Sequence, residues 1–293
     1  TYTQRDHIAV CGYHGWQDWC IGTTARHKGL PGSVSALSKA VPYNDLKYME
    51  QLLRTKQYAA VIMEPCNTTP PKSGYLEQVK ALCEQHGTLL VFDEVVTGFR
   101  FAPGGAQAYF KVTPHLSCFG KALGNGMPIS AIVGQQCIMK EMENIFFPGT
   151  FGGETLSLVA AQATLQKLIR EDVSGYLWRY GAQLEQGIRS QIERFDLSNV
   201  IILCGYAPWL MVQFNDHPHA CAHTLKTLFI QEMMRRGILI TRGLNINFAH
   251  DDACQYKILQ AFEAVLSLIA EALRHQSVQQ ALKSPVIQPI FSV

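Results

Sequence analysis

The chain has 293 residues, 47% of them hydrophobic and 16% charged, enough to bury a substantial core in one large or two modest globular domains. Its 25 basic and 23 acidic side chains leave a net charge of +2, so nothing in the balance points to nucleic acid or an acidic membrane surface as partner. No apolar run reaches the ~18 residues of a membrane span and residues 1–6 are polar, so no transmembrane helix or signal peptide is expected, and a cytoplasmic location is. The nine cysteines are scattered, many within apolar segments, with no CxxC pair and no His/Cys cluster at zinc spacing. They read as reduced thiols, and no metal is expected.

In chain order, residues 8–10 (IAV) form a first short strand that runs into Gly12-Tyr13-His14-Gly15-Trp16. Residues 21–39, rich in Gly, Ser, Thr and basic side chains with weak periodicity, read as a mobile surface loop. Residues 45–56 are helical, capped at Asn44 or Asp45, with Leu46, Met49, Leu52 and Leu53 on one face. YAAVIM at 58–63 is a buried strand ending at Glu64-Pro65, where the proline forces the carboxylate out of regular structure. An amphipathic helix over 75–86, with Leu76, Val79, Leu82 and Cys83 on one stripe, returns the chain to the apolar run 88–92, which ends at Asp93-Glu94. Strand and helix in alternation predict a parallel, right-handed α/β layer. A short apolar segment at 116–119 and a last strand at 129–133 belong to that layer, and a long helix spans 155–170.

From about residue 172 the character changes. A helix over 173–195 precedes short strands at 200–203 and 209–214, and helices at 219–236 and 252–273 enclose another strand at 237–241. This reads as a small α+β domain with a loose end at 285–293. The expected division is therefore 1–171 for a large domain and 172–293 for a small one.

Two residues stand out chemically. Asp93 stands at the C-terminal end of a buried strand, where open α/β sheets bind their ligands. A carboxylate there also serves to cap the following helix, and both readings are open. Lys121, flanked by Phe119, Gly120, Ala122 and Leu123, is the one Lys, Arg, Asp or Glu between Lys111 and Lys140, and it precedes the turn Gly124-Asn125-Gly126-Met127-Pro128. A lysine partly shielded from water acts as a nucleophile or forms a Schiff base. Glycines beside it let backbone approach a ligand closely.

DEVVTGFR followed by FGKALGNGMPISAIVG resembles the class III (ω-type) aminotransferases, which depend on pyridoxal 5′-phosphate, and among them the glutamate-1-semialdehyde aminomutase-like branch. The resemblance runs over about residues 5–171. It implies an α/β fold: the fold-type I pyridoxal-phosphate transferase large domain, a mostly parallel sheet with helices on both faces, plus a small C-terminal α+β domain. It implies an aminotransferase or aminomutase that moves an amino group between an amino acid or amine and an aldehyde or keto compound. Lys121 would hold the pyridoxal aldehyde as an internal aldimine and shuttle a proton once displaced. Asp93 would pair with the pyridine nitrogen and keep it protonated. Val95, on the same side as Asp93 if the strand continues, would pack under the ring or serve as an ordinary core residue.

In the YHG-like stretch, Tyr13 would stack on the cofactor face and His14 would make a neighbouring contact. Glu64 is a candidate contact to cofactor or substrate, and Asn67, within CNTTPP, a candidate for the pyridoxal hydroxyl. Arg100 suits a phosphate or carboxylate contact, or a structural ion pair. The resemblance assigns Thr150, in FFPGTFGGE, to the cofactor phosphate of the neighbouring subunit, which implies at least a homodimer. Hydroxyl and small residues at a helix N-terminus suit a phosphate, and an N-cap is the structural alternative. Arg242, by position alone, is a candidate for the substrate carboxylate, and residues 21–39 would help gate substrate entry.

Family members carry a long N-terminal region with a Gly-Ser/Thr turn for the cofactor phosphate, and no such turn precedes Tyr13. The expectation is thus an N-terminally truncated enzyme, or a half that pairs with another chain or domain. The alternative is a catalytically inert or partner-dependent subunit with a structural or interaction role.

Overall fold

A computed structural model describes residues 1–67, 69–147, 149–241 and 243–288. Residues Thr1–Ser174 form one compact unit and a second begins at Gly175.

The first unit is built on six strands, β1 (His7–Cys11), β2 (Ser38–Ala40), β3 (Tyr58–Met63), β4 (Leu89–Asp93), β5 (Leu116–Phe119) and β6 (Ala131–Gly134), in the order β2-β1-β3-β4-β5-β6. Strands β1 to β5 are parallel and β6 is antiparallel to β5. The C-terminal ends of β1, β3, β4 and β5 therefore line one edge of the sheet. Chain order reverses between the two neighbours of β1, the place where such sheets open a crevice.

The helices follow from their caps and stripes. α1 (Asp18–Ile21) and α2 (Gly32–Ala36) are single turns. α3 (Leu46–Leu53) starts where Asp45 accepts the Tyr48 N–H at 2.9 Å. α4 (Tyr75–His86) stops at Gly87, whose φ of +63° is the left-handed cap that glycine adopts without strain. Met49 and Leu53 of α3 and Leu76, Val79 and Cys83 of α4 pack into one buried cluster with Val61, Met63, Leu90 and Phe92 of the sheet. α5 (Gly105–Phe110) and α6 (Gln136–Met139) are short, and α7 (Thr155–Arg170) sets Ala161 and Leu165 against Phe119 and Leu123.

Residues 21–39 are not the loop expected from their composition. They contain α2 and β2, and β2 extends the sheet by pairing Ile8 with Ser38 and Val10 with Ala40. A strand of three residues, two of them exposed, is too short to show an alternation, and its order comes from backbone bonds to β1, such as Val41 N–H to the Val10 carbonyl at 2.8 Å.

Glu94, just past β4, is 1% exposed. Its Oε2 accepts from the Thr97 hydroxyl at 2.5 Å and the Ala106 N–H at 2.8 Å, and its Oε1 from the Gln107 N–H at 2.7 Å. Burial pushes this carboxyl up, and the three donors pull it back. The helix-capping role open to Asp93 thus falls to its neighbour, which ties the start of α5 to the end of β4. A Cβ on Gly105, whose φ is +83°, would lie 2.7 Å from the Glu94 carboxylate, so only glycine fits there.

The second unit begins within α8 (Val173–Arg194) and contains an antiparallel sheet of β7 (Ile201–Tyr206), β8 (Trp209–Phe214) and β9 (Gly243–Asn245). α9 (Ala222–Arg235), α10 (Asp252–Arg274) and α11 (Val278–Ala281) complete it, with Phe229 and Phe262 in edge contact in its core. The strand expected at 237–241 does not form. Gly237 turns the chain at a φ of +77° and Leu239 is 83% exposed, so the apolar run there follows a helix end instead of entering the sheet. Among the described residues no helix is long and apolar enough to cross a membrane.

Two stability predictions follow from these buried groups. Glu94→Ala strands three donors and is expected to cost about 3 kcal/mol in urea unfolding, more than Glu94→Gln. His115 is nearly buried, its Nδ1 accepts the Leu90 N–H at 2.8 Å, and burial pushes the imidazole below its ordinary value. The unfolded chain therefore takes up this proton first as pH falls below about 6.5, so stability present above that pH is lost on acidification. Urea midpoints at pH 7.5 and 5.5 are expected to differ less in His115→Asn than in the parent.

Candidate active site

The edge formed by the strand ends carries most of the candidate residues. Beyond β1 the chain turns at Gly12, whose φ is +103°, and His14 folds back beneath the edge. Its Nδ1 lies 2.7 Å from Asp93 Oδ2, and its Nε2 lies 3.1 Å from the Cys11 carbonyl oxygen. The His14 side chain is 1% exposed and that of Asp93 13%. The other carboxylate oxygen of Asp93, Oδ1, accepts the Val95 N–H at 2.9 Å. Asp93 is thus held on both oxygens, with accepting capacity left on each.

Lys121 reaches the same edge from the adjacent strand. Cys118 of β5 pairs with Asp93, and the Glu94 N–H bonds the Cys118 carbonyl at 2.9 Å. The chain then passes Phe119 and Gly120 into a short 3-10 turn, Lys121–Leu123. Lys121 opens this turn at a φ of +39°, a left-handed conformation that a residue with a side chain adopts at a cost of order 1 kcal/mol or more. A Cβ built on Gly120 would meet the Val95 methyls at 3.5 and 3.7 Å, so Val95 lies directly beside the lysine's backbone. The expectation that apolar neighbours shield Lys121 is corrected: Leu123 is buried, but the lysine itself is exposed.

The remaining candidates are placed as follows. Tyr13 is 48% exposed next to His14. Glu64 follows β3 half-buried. Asn67 uses its side-chain oxygen on the Thr69 N–H at 2.8 Å, which leaves its amide hydrogens. Arg100 is half-buried in the turn after β4, and burial pushes its guanidinium below the ordinary value. Thr150 is exposed in a turn closed by Gly152 N–H to the Gly149 carbonyl at 2.9 Å. The N-cap of the 155–170 helix is Glu154, which takes the Leu156 and Ser157 N–H groups, each at 2.7 Å, so capping does not fall to Thr150. Arg242 lies outside the described residues.

The structure therefore brings His14, Asp93, Val95 and Lys121 together, with Tyr13 adjoining. Sequence reasoning missed Trp19, whose ring stacks on His14 at 6.1 Å and 19° between planes, and Cys20, whose Sγ accepts the His14 backbone N–H at 3.2 Å. The signal was a tryptophan in the turn after a histidine, which is weak without coordinates. Burial pushes the thiols of Cys11 and Cys118 up to about 12 and about 11, and that of Cys20 upward, so the carboxylate has no thiolate beside it. Among the described residues no three His, Cys, Asp or Glu side chains are arranged to hold a metal.

A carboxylate fixed by two donors, an exposed primary amine on the neighbouring strand end, a flanking valine and an exposed aromatic side chain form a set that fits pyridoxal 5′-phosphate. The acid suits a ring nitrogen, and the amine suits an aldehyde.

Known proteins resemble this chain in sequence and in fold. The aminotransferase class-III family matches residues 1–242. The chain is 35% identical to the glutamate-1-semialdehyde 2,1-aminomutase of Methanothrix thermoacetophila, over 90% of this chain and 68% of that one. It is 32% identical to the 3-aminobutyryl-CoA aminotransferase of Cloacimonas acidaminovorans, over 82% of this chain and 59% of the relative. The chain thus spans between 59% and 68% of the length of these two relatives. Among solved structures, the internal aldimine form of FumI from Sphingopyxis sp. MTA144 superposes with a TM-score of 0.85 at 23% identity, over 96% of this chain and 69% of that one. The omega-transaminase from Sphaerobacter thermophilus gives 0.81 at 24% identity, over 92% and 70%. With its fold and its matched residues in agreement, this chain belongs to the class III aminotransferases, a family of pyridoxal-phosphate-dependent enzymes.

Proposed function

We propose that this chain carries the catalytic acid and lysine of an amino-group-transferring enzyme, an aminotransferase or aminomutase, that acts on an amino acid or amine and a carbonyl compound. The observation that carries the reading is the juxtaposition of Asp93, held by two donors, with the exposed Lys121 on the adjoining strand end. Relatives named as an aminomutase and an aminotransferase support both outcomes, a shift within one carbon skeleton and a transfer between two.

Pyridoxal 5′-phosphate, when bound, supplies an aldehyde for a primary amine and a ring that accepts electrons from a breaking C–H bond. Asp93 would face the ring nitrogen and keep a proton there, with His14 holding the carboxylate. Val95 and Tyr13 would bound the ring on its faces. Lys121 would supply the amine that anchors the cofactor and then move a proton at Nζ. Glu64 and Asn67 would contact the cofactor or substrate from the end of β3. In this reading residues 1–171 form the cofactor-binding domain and 172–293 the small domain.

The reading includes a homodimer in the cytoplasm, with Thr150 contacting the cofactor phosphate of a second copy. Phe146, 91% exposed, with Phe147 and Phe151 beside Thr150 and with Leu156, Val159 and Ile169 along α7, leaves an apolar surface of the kind that protein interfaces cover.

Two measurements test these statements. Adding pyridoxal phosphate is expected to give a visible absorption band that borohydride fixes onto the Lys121 peptide by mass. Lys121→Ala is expected to give neither, and a parent chain without a Lys121-dependent adduct leaves the inert or partner-dependent subunit as the reading. In light scattering after size exclusion, Phe147→Glu is expected to shift the chain from dimer to monomer, and an unchanged mass would remove this surface from the interface.

A further inference from the structure

Asp93 is supported by a histidine whose own support extends further. Both neighbours of the His14 ring, the Asp93 carboxylate on Nδ1 and the Cys11 carbonyl on Nε2, are acceptors only. A neutral imidazole has one N–H and would turn a lone pair on one of them. With the side chain 1% exposed, no bulk water relieves that clash. Turning the ring over would set carbon atoms against the carboxylate and forfeit the 2.7 Å contact.

The ring's remaining surroundings fit a double donor. Trp19 lies nearly parallel to it, 19° between planes and 6.1 Å between centroids, an offset stack that bounds one face of the imidazole. Cys20 takes the His14 backbone N–H, which pins the main chain at the point where the ring departs. The Cys11 and Cys20 thiols, both pushed up by burial, add no competing anion.

We infer that Trp19 is a positioning residue for Asp93: it clamps His14 as a donor from both ring nitrogens, and His14 in turn fixes which way the carboxylate faces. This deepens the cofactor reading given above, since a carboxylate that cannot swing presents the same lone pairs to a ring nitrogen at every encounter. The clamp itself is a property of the cofactor-free chain.

The test uses nitrogen-15 histidine labelling of the whole chain at neutral pH without cofactor, with His14→Gln to assign the His14 signals. Two downfield ring N–H resonances are expected for His14, and Asp93→Asn is expected to move the Nδ1–H signal back toward the ordinary range. Trp19→Leu, which fills space without a planar face, is expected to speed exchange of both protons with water by about tenfold, whereas Trp19→Phe stays near the parent. Circular dichroism checks that each variant remains folded, and the Phe variant keeps the test open if the Leu variant does not. A single His14 N–H in the parent overturns the double donor. Unchanged exchange in Trp19→Leu, or equal acceleration in Trp19→Phe, overturns the clamp. Two signals in a chain that takes up no pyridoxal phosphate would uphold this inference while sinking the proposed function.

Discussion

Two adjacent carboxylates at the end of β4 divide the work on which the first unit depends. Glu94, longer by one methylene, reaches away from the edge and satisfies the Thr97 hydroxyl and the first N–H groups of α5. Asp93, shorter, stays at the edge and is gripped by His14 and the Val95 N–H. Because the structural demand is met by Glu94, the polar capacity of Asp93 is left over for a ligand. Exchanging the two residues would leave α5 unanchored and put a longer, looser acid against His14.

Around that pair the sheet acts as a register. β1, β3, β4 and β5 run in one direction, so Tyr13 and His14, Glu64, Asp93 and Val95, and Lys121 emerge on one edge despite their separation along the chain. At the opposite edge Arg5 holds the strand starts in step, its guanidinium donating to the carbonyls of Tyr58 and His86 and to the Thr88 hydroxyl. Neither edge is specified by a local propensity. Both follow from burying the apolar runs between them, of which Val61, Leu90 and Phe92 are wholly covered.

Much of this was legible in the residues. The strand over Tyr58–Met63 and the helix over Tyr75–His86 have the bounds that their apolar patterns gave, because burial on a face writes a period into the sequence. Asp93 and Lys121 stood out through their position and isolation, and the structure brings them to adjoining strand ends. What stayed hidden was set by backbone pairing or by side chains meeting across space. β2 exists because β1 offers an open edge, and the run at 237–241 fails to become a strand because Gly237 turns it toward solvent at Leu239. The donor role of His14 and the stack of Trp19 needed coordinates, since neither residue type carries its partner's address. Glu154 illustrates a further limit: an acid ahead of a helix reads equally as a cap or as the border of an anion site, and only the N–H directions decide.

The reversal of β6 has a consequence for how the edge assembles. Because β6 runs antiparallel to β5, the stretch from Gly120 to Ser130 returns directly to its neighbour instead of crossing a face of the sheet. The lysine is thereby carried on a local return whose closure entropy is small, whereas Asp93 depends on strands recruited from distant parts of the chain. Along a folding trajectory the amine's turn is cheap to form and the acid's surroundings are slow, so the acquisition of native geometry at this edge is paced by the recruitment of β1 and its histidine.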